Sequence, residues 1–406
     1  MGGERSAVKI EGLKYLSQLL PMLDRLHDIG CERDRAGNRK LHYDQYCLLV
    51  LLFLFNPLVR SLRGLQEASQ LKQVQRKLGC PRTSLGSLSE AVDVFDPERL
   101  EGMIGELLQQ LPQRGAIGQG QVKQVLTAVD GSVVKTLAGL AQAAYLRDKN
   151  GESHSAWRFH THFEIDRGVP VRIDVTSALN SGKTDEKQQL RQRLQPDRCY
   201  VLDRWYAEFA LWNDILAAKS SYVCRIRDNS NLSQVQEERP LSEAAKKSGI
   251  LRDLVVILGT SSQREARPSH PVRVVLIQTT AHTKRGGRKG GTAGPPSDGV
   301  LRIATNMLDV PAEVLADIYR HRWMIELFFR FFKHVLGCRH LLSTDPVGIQ
   351  IQAYCALIAC LLIHLWAGGK PTLRTYEMVC FYLMGWADLD ELTRHIERLQ
   401  ADRISN

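Results

Sequence analysis

Apolar residues recur at helical spacing through the first 118 residues and give way to alternation after Gln121. Residues 13–26 are amphipathic, 43–55 are apolar on nearly every side, and 63–78 read as a mixed basic helix. The pattern breaks at Gly79-Cys80-Pro81-Arg82-Thr83-Ser84 and resumes over 87–95 and 97–111. Two readings fit this region: a small nucleic-acid-binding bundle with a helix-turn-helix-like element, or a plain helical cap.

Beyond Gln121 the period drops to two. Residues 125–129 form an apolar run closed by Asp130-Gly131-Ser132. Over 156–166, Trp157, Phe159, Thr161, Phe163 and Ile165 alternate with Arg158, His160, His162, Glu164 and Asp166, as in a half-buried strand. Arg167-Gly168 turns the chain into a third strand over 169–175, and the three predict an antiparallel meander. A helix over 185–194, a strand over 199–202 ending in Asp203, a helix over 204–217 and a strand over 221–226 follow. The order β-β-β-α-β-α-β predicts an α/β sandwich.

Residues 228–310 leave that alternation. Strands are predicted at 254–258, 272–280 and 300–305, joined by polar loops, which makes this stretch a β-rich insertion. The loop over 283–291 sets Lys284, Arg285 and Arg288 among glycines. It lacks the G-x-x-x-x-G-K-[ST] spacing of a phosphate cradle. It is therefore a flexible basic loop, either tracking a nucleic-acid backbone or simply solvated. A helix opens after Asp309-Val310-Pro311, read as a cap with proline in the first turn. An apolar helix over 349–366, a break at Gly368-Gly369-Lys370-Pro371 and an amphipathic helix over 388–399 complete the chain. The expected division is a helical N-terminal domain (1–118), an α/β core (119–227 and 311–346), the β-rich insertion (228–310) and a helical C-terminal region (347–406).

The helix after Pro311 carries the densest chemistry. Read as one helix at 100° per residue, Tyr319, Arg322, Glu326 and Lys333 fall at about 0°, 300°, 340° and 320°, an arc of about 60°. Ile318, Met324, Ile325, Leu327, Phe328 and further apolar residues cover most of the remaining circumference, which predicts a buried helix. A solvated face with an i, i+4 ion pair between Arg322 and Glu326 would explain the stripe. A carboxylate between two cations on a buried helix is costly unless something binds there.

Composition narrows the partner. The formal charge is +10 across 406 residues, with Lys and Arg spread along the chain, which favours a polyanion through counterion release. The nine cysteines are scattered without a C-x-x-C pair, so neither a disulfide framework nor a zinc site is expected, and a reducing cytosol fits. No signal-peptide pattern opens the chain. The apolar runs 47–55 and 353–367 fall short of the ~20 residues that span a bilayer, so no membrane segment and a cytoplasmic location are expected.

Three acids then stand out: Asp130 at the end of the first strand, Asp203 at the end of the fourth, and Glu326 on the helix. First and fourth strands are often neighbours in such a sandwich, and a helix over that edge could present the third acid. Close carboxylates repel unless cations neutralise them. Mg²⁺ does so with oxygen ligands and keeps positions open for phosphates. Two metals together suit an in-line phosphoryl displacement. Other acids are better read as structural: Asp185 as a helix-terminus residue and Asp166 as a hairpin-turn residue. His160 and His162 share a strand face but lack a third ligand, so a polar sheet face is the expected reading.

The run Tyr319-Arg320-His321-Arg322-Trp323-Met324-Ile325-Glu326, with Lys333 seven residues later, resembles the Y-x2-R-x3-E-x6-K motif of DDE transposases of the insertion-sequence-four family. Asp130-Gly131-Ser132 resembles that family's first acidic motif and Asp203-Arg204-Trp205-Tyr206 its second. The likeness extends from about residue 125 to 340, and the helical N-terminal region fits it. It implies a ribonuclease-H-like core with the β-rich insertion lying in the 123-residue interval between Asp203 and Glu326. It further implies that Asp130, Asp203 and Glu326 bind two Mg²⁺ or Mn²⁺ ions, and that Tyr319, Arg322 and Lys333 contact phosphates of a transposon end. By the same likeness the protein acts on double-stranded DNA, as a homodimer pairing terminal inverted repeats and joining them to target DNA through hairpin ends. Trp323 and Trp205 are the candidates to stack on a flipped base; core packing is the alternative for both. Two rival functions are a structure-selective nuclease on the same core and a domesticated, non-catalytic DNA-binding protein.

Overall fold

The computed structural model describes residues 16–29, 34, 37, 40–56, 58–111, 120–136, 144–147, 153–178, 185–259, 267–279, 298–335, 341–343, 345–368 and 372–404. Seven helices come first: α1 (Leu16–Asp24), α2 (Leu26–Ile29), α3 (Tyr43–Phe55), α4 (Leu62–Ser69), α5 (Lys72–Leu78), α6 (Leu85–Val94) and α7 (Glu98–Gln109). The expected basic helix over 63–78 is two helices, α4 and α5, parted at Gln70-Leu71, where the backbone N–H groups bond three residues back. Serines start two of the helices: Ser61 Oγ accepts from Gly64 N and Ser84 Oγ from Ser87 N.

The sheet holds ten strands among the described residues. They are β1 (Val125–Thr136), β2 (Ala144–Arg147), β3 (Ser153–Glu164), β4 (Val169–Ser177), β5 (Arg198–Leu202), β6 (Ser221–Arg225), β7 (Val235–Glu238), β8 (Ile250–Val256), β9 (Val272–Gln278) and β10 (Val300–Thr305). The spatial order is β2-β3-β1-β5-β6-β10-β9-β8-β7, with β4 also paired to β3. Antiparallel β1-β3-β4 pairing realises the expected meander. The short β2, absent from the sequence reading, lies along the start of β3. Strands β1, β5 and β6 run parallel at the centre. The strands of 228–310 add to this same sheet, because β10 pairs antiparallel with β6.

Helices cover both faces. Period-two alternation sends Tyr200, Leu202, Tyr222 and Cys224 toward α9 (Phe209–Ala217), which follows α8 (Glu186–Gln192). It sends Ala128, Val201 and Val223 into the larger core on the other face. After the short α10 (Glu243–Lys247), the larger core receives α11 (Ala312–His321), α12 (Trp323–Val335) and α13 (Pro346–Ala367). Helix α13 has 22 residues, enough by length and composition to cross a membrane, yet 83% of its most apolar window is buried inside the protein. It runs against α3, α7 and β4, so helices from both ends of the chain share one core. Gly368 ends it with φ +65°, a left-handed turn that a side chain would strain. Two further helices, α14 (Leu373–Leu383), which the hydrophobic pattern had not indicated, and α15 (Leu389–Ile404), follow.

One buried ion pair ties the outer strands to the helices. Arg273 on β9 forks onto Asp253 of β8 at 2.8 and 2.7 Å. Its Nη1 also donates to the carbonyls of Met307, Leu308 and Val310, just ahead of α11. Arg239 donates to the Leu308 carbonyl as well. Removing one member of such a pair strands the other charge in the interior. Asp253→Asn should therefore lower unfolding free energy in urea by about 3–5 kcal/mol. A loss below about 1 kcal/mol, the range of exposed pairs, would contradict this role.

Candidate active site

The register of β1 against β5 builds the site. Val129 lies beside Leu202 in the last parallel pair, so Asp130 and Asp203 are the next residues on adjacent, same-direction strands. Neighbouring strands sit about 4.8 Å apart, and side chains at matched positions share a face. Alternation assigns both to the larger-core face, since Val129 and Leu202 belong to the opposite one. Asp203 stands immediately after β5 and starts a short 3-10 turn, Arg204–Tyr206, by accepting the Trp205 N–H at 2.8 Å. Asp130, by contrast, does not end its strand. β1 continues to Thr136 because antiparallel pairing with β3 goes on after the parallel pairing with β5 has stopped.

The expected single helix over Tyr319–Lys333 is α11 and α12 meeting at Arg322. There the hydrogen bonds shorten to i−3, from Arg322 N to Tyr319 O and from Ile325 N to Arg322 O, while Arg322 keeps right-handed helical angles. The chain direction survives, so the polar positions still line up. The helix is not buried all round. Ile325, Phe328, Phe329, Phe332 and Val335 face the core, whereas Trp323, Arg330 and His334 are exposed. The stripe therefore runs along the margin between core and solvent.

Along that margin Arg322 links helix and sheet. Its Nη2 donates to Glu326 Oε1 at 2.5 Å, and its Nη1 lies 3.9 Å from Asp130 Oδ2. The guanidinium also sits over the Tyr319 ring, 5.9 Å from its centre. Lys333 Nζ donates to the Val133 carbonyl on β1 at 3.2 Å, three residues beyond Asp130. Asp130 shows what this crowding does. Burial and the neighbouring Asp203 push its carboxyl up to about 6, with Glu326 adding to the rise, against the opposing pull of Arg322 and the Gly131 N–H.

These donors can be weighed against a hard divalent cation. Asp130 and Asp203 each satisfy one oxygen with a local backbone N–H and keep the other. Excess negative charge beside Asp130 is what a cation would relieve, so the two aspartates suit such a ligand. Among the described residues, however, no three His, Cys, Asp or Glu side chains converge as a ready set of ligands. Glu326 is engaged by Arg322 instead.

Trp205 and Trp323 are half exposed, 50% and 52%, unlike the fully buried Trp157 and Trp212. Core packing is thus not their role. Lys187 Nζ rests 5.5 Å from the Trp205 ring centre. Lys284, Arg285 and Arg288 lie outside the described residues. Asp185 caps α8 by accepting the Lys187 N–H, and Asp166 lies in the β3–β4 turn, both as expected. His160 and His162 are buried, His160 Nε2 bonding Thr176 Oγ1 at 2.8 Å, and burial lowers each to about 4, leaving neutral imidazoles.

Sequence reasoning missed the polar group behind Asp130. Glu186 of α8 pairs with Arg158 on β3 and accepts from the Tyr206 hydroxyl at 3.3 Å. A Cβ on Gly131 would lie 2.7 Å from the Glu186 carboxyl carbon, so any larger residue after Asp130 requires that carboxyl to move. Glu186 thus touches the strand bearing one aspartate and the turn following the other. Only the adjacent acid pair Asp185-Glu186 hinted at it in the sequence.

Residues 122–362 match the family of transposase DDE domains, more than half of the chain, and the chain belongs to that family. It is similar to the transposase y4zB of Sinorhizobium fredii, 24% identical over 242 residues that cover 58% of this chain and 62% of that protein. It is also similar to the transposase of insertion sequence element IS5377 from Geobacillus stearothermophilus, 27% identical over 230 residues covering 55% and 52%. The chain therefore spans less than two thirds of either relative. A piggyBac transposase, solved by cryo-EM in a synaptic complex with hairpin DNA, aligns over 97% of this chain and 83% of its own at 10% identity and a TM-score of 0.42, too low to decide fold or function.

Asp130 makes the site measurable without substrate. Its pKa of about 6 lies above the ~3.9 of an unfolded aspartate, so the fold favours the neutral acid. That stabilising contribution is complete below pH ~4 and is lost as pH rises through ~6. In metal-free buffer Asp130→Asn should match wild type near pH 4 and exceed it by on the order of 2–3 kcal/mol at pH 7–8. Denaturant curves of the two proteins across that range check it; a pH-independent difference would count against the crowded pair.

Proposed function

We propose that the protein is a DNA transposase of the insertion-sequence-four type, performing cut-and-paste transposition of a bacterial insertion sequence. What carries the reading is the adjacent register of Asp130 and Asp203 beside a helix whose Arg322 bridges Glu326 and Asp130. The strand order β4-β3-β1-β5-β6, with β3 antiparallel, supports a ribonuclease-H-like core spanning 119–227 and 311–346. In this reading residues 1–118 bind DNA, 228–310 are the β-rich insertion and 347–406 contribute dimer contacts.

Asp130, Asp203 and Glu326 would hold two Mg²⁺ or Mn²⁺ ions, which when bound neutralise charge on both the attacking and the leaving oxygen of a phosphodiester. The protein's own groups bind and orient. Tyr319, Arg322 and Lys333 lie on one margin, where a hydroxyl and two cations can grip successive phosphates of a terminal inverted repeat. Trp205 and Trp323 present aromatic faces to solvent beside that margin, available to stack on a base extruded from a hairpin end. The sequence would be cleavage at paired inverted repeats in a synaptic homodimer, then strand transfer to target DNA.

The test is incubation of the protein with a labelled duplex of its flanking inverted repeat, a target plasmid and Mg²⁺. We expect cleavage and joining, each reduced at least ~10³-fold by Asp130→Asn, Asp203→Asn or Glu326→Gln, as befits loss of a metal-holding or electrostatic group. Cleavage that survives all three substitutions would defeat the catalytic assignment. Cleavage without joining would favour a structure-selective nuclease, and neither would leave a DNA-binding protein.

A further inference from the structure

We propose that Arg322 is an internal counter-cation that occupies the acidic site until DNA arrives, so that metal loading and DNA binding are coupled through one side chain. The inference rests on the reading of Asp130, Asp203 and Glu326 as metal-holding acids. Three observations support it. Arg322 contacts Glu326 at 2.5 Å and lies 3.9 Å from Asp130, so its fork stands between a helix acid and a sheet acid. Its side chain is 15% exposed while that of Glu326 is 31% exposed, so the cation lies deeper than the acid it holds. No three potential ligands converge among the described residues, and the acid that would complete the set is the one Arg322 engages.

The physical consequence follows from charge. A guanidinium is permanently protonated and forks readily onto carboxylates. A divalent ion seeking Glu326 must first displace it, against both the charge-assisted hydrogen bond and repulsion from the guanidinium itself. A DNA phosphate beside the same margin offers Arg322 an equivalent bidentate partner. Once Arg322 turns to the phosphate, Glu326 is released toward Asp130 and Asp203. The coupling is reciprocal, so metal should also favour DNA binding. In this scheme a chain without DNA holds metal poorly and has little means of hydrolysing indiscriminately.

The test measures Mn²⁺ binding to the full chain without DNA, by electron paramagnetic resonance of the free ion. Arg322→Gln should bind Mn²⁺ about 10–100-fold more tightly than wild type, because a nearby like charge is gone. Arg322→Lys, which keeps the charge but not the fork, should stay closer to wild type. Adding Asp130→Asn to Arg322→Gln should abolish the gain. The increase in affinity for a repeat duplex brought by Mn²⁺ should be several-fold smaller in Arg322→Gln than in wild type. Loss of the gain on adding Asp130→Asn separates binding at this site from binding by a misfolded chain, which keeps the outcome interpretable. If Arg322→Gln binds no more tightly while Asp130→Asn weakens every variant, the counter-cation role is overturned and the acids remain the metal site. If Asp130→Asn changes nothing in any variant, the metal-site reading fails and takes this inference with it.

Discussion

The parallel pairing of β1 with β5 is the constraint on which the rest depends. It stops at Val129 and Leu202, and the next residue on each strand is an aspartate. Burial and the neighbouring Asp203 both disfavour a charged carboxylate at Asp130. The chain tolerates this by raising Asp130 and by standing Arg322 opposite. Sheet pairing and burial thus create an electrostatic cost that protonation of Asp130 or a nearby cation relieves.

The remaining architecture holds that arrangement in place. Behind the sheet, Glu186, Arg158 and Tyr206 join α8, β3 and the turn after Asp203, with Gly131 leaving room for the carboxyl. In front, Arg273 binds the carbonyls of Met307, Leu308 and Val310 and sets where α11 begins. The apolar face of α12, led by Phe328, Phe329 and Phe332, then packs on the core and brings Glu326 to the margin above Asp130. The strands of 228–310 therefore do more than lengthen the chain between two acids. They complete the sheet and anchor the start of α11, which leads into the helix that carries Glu326.

Much of this was legible in advance. Alternation located the strands around Asp130 and Asp203, and helical spacing aligned Tyr319, Arg322, Glu326 and Lys333. Local signals also marked Asp185 as a cap and Gly368 as a stop. Other features were illegible because their cause is not local. β1 outlasts Asp130 because a distant strand keeps pairing with it. Trp205 and Trp323 look like core residues by type, yet their exposure depends on which helix face meets the sheet. His160 and His162 look like half of a polar surface, and the elements packed over them make them buried and neutral.

Residue type and spacing by themselves marked most of the elements, the three acids and the cationic residues that accompany Glu326, because periodicity and charge are properties of the chain read locally. Tertiary structure alone decided which of those groups meet. Strand register set Asp130 beside Asp203, and helix packing turned Arg322 toward both Asp130 and Glu326. Glu186 took up the space left by Gly131, 55 positions away in the chain. Electrostatic energy depends on distance in space, and distance in space is settled only when sheet and helices close on one another.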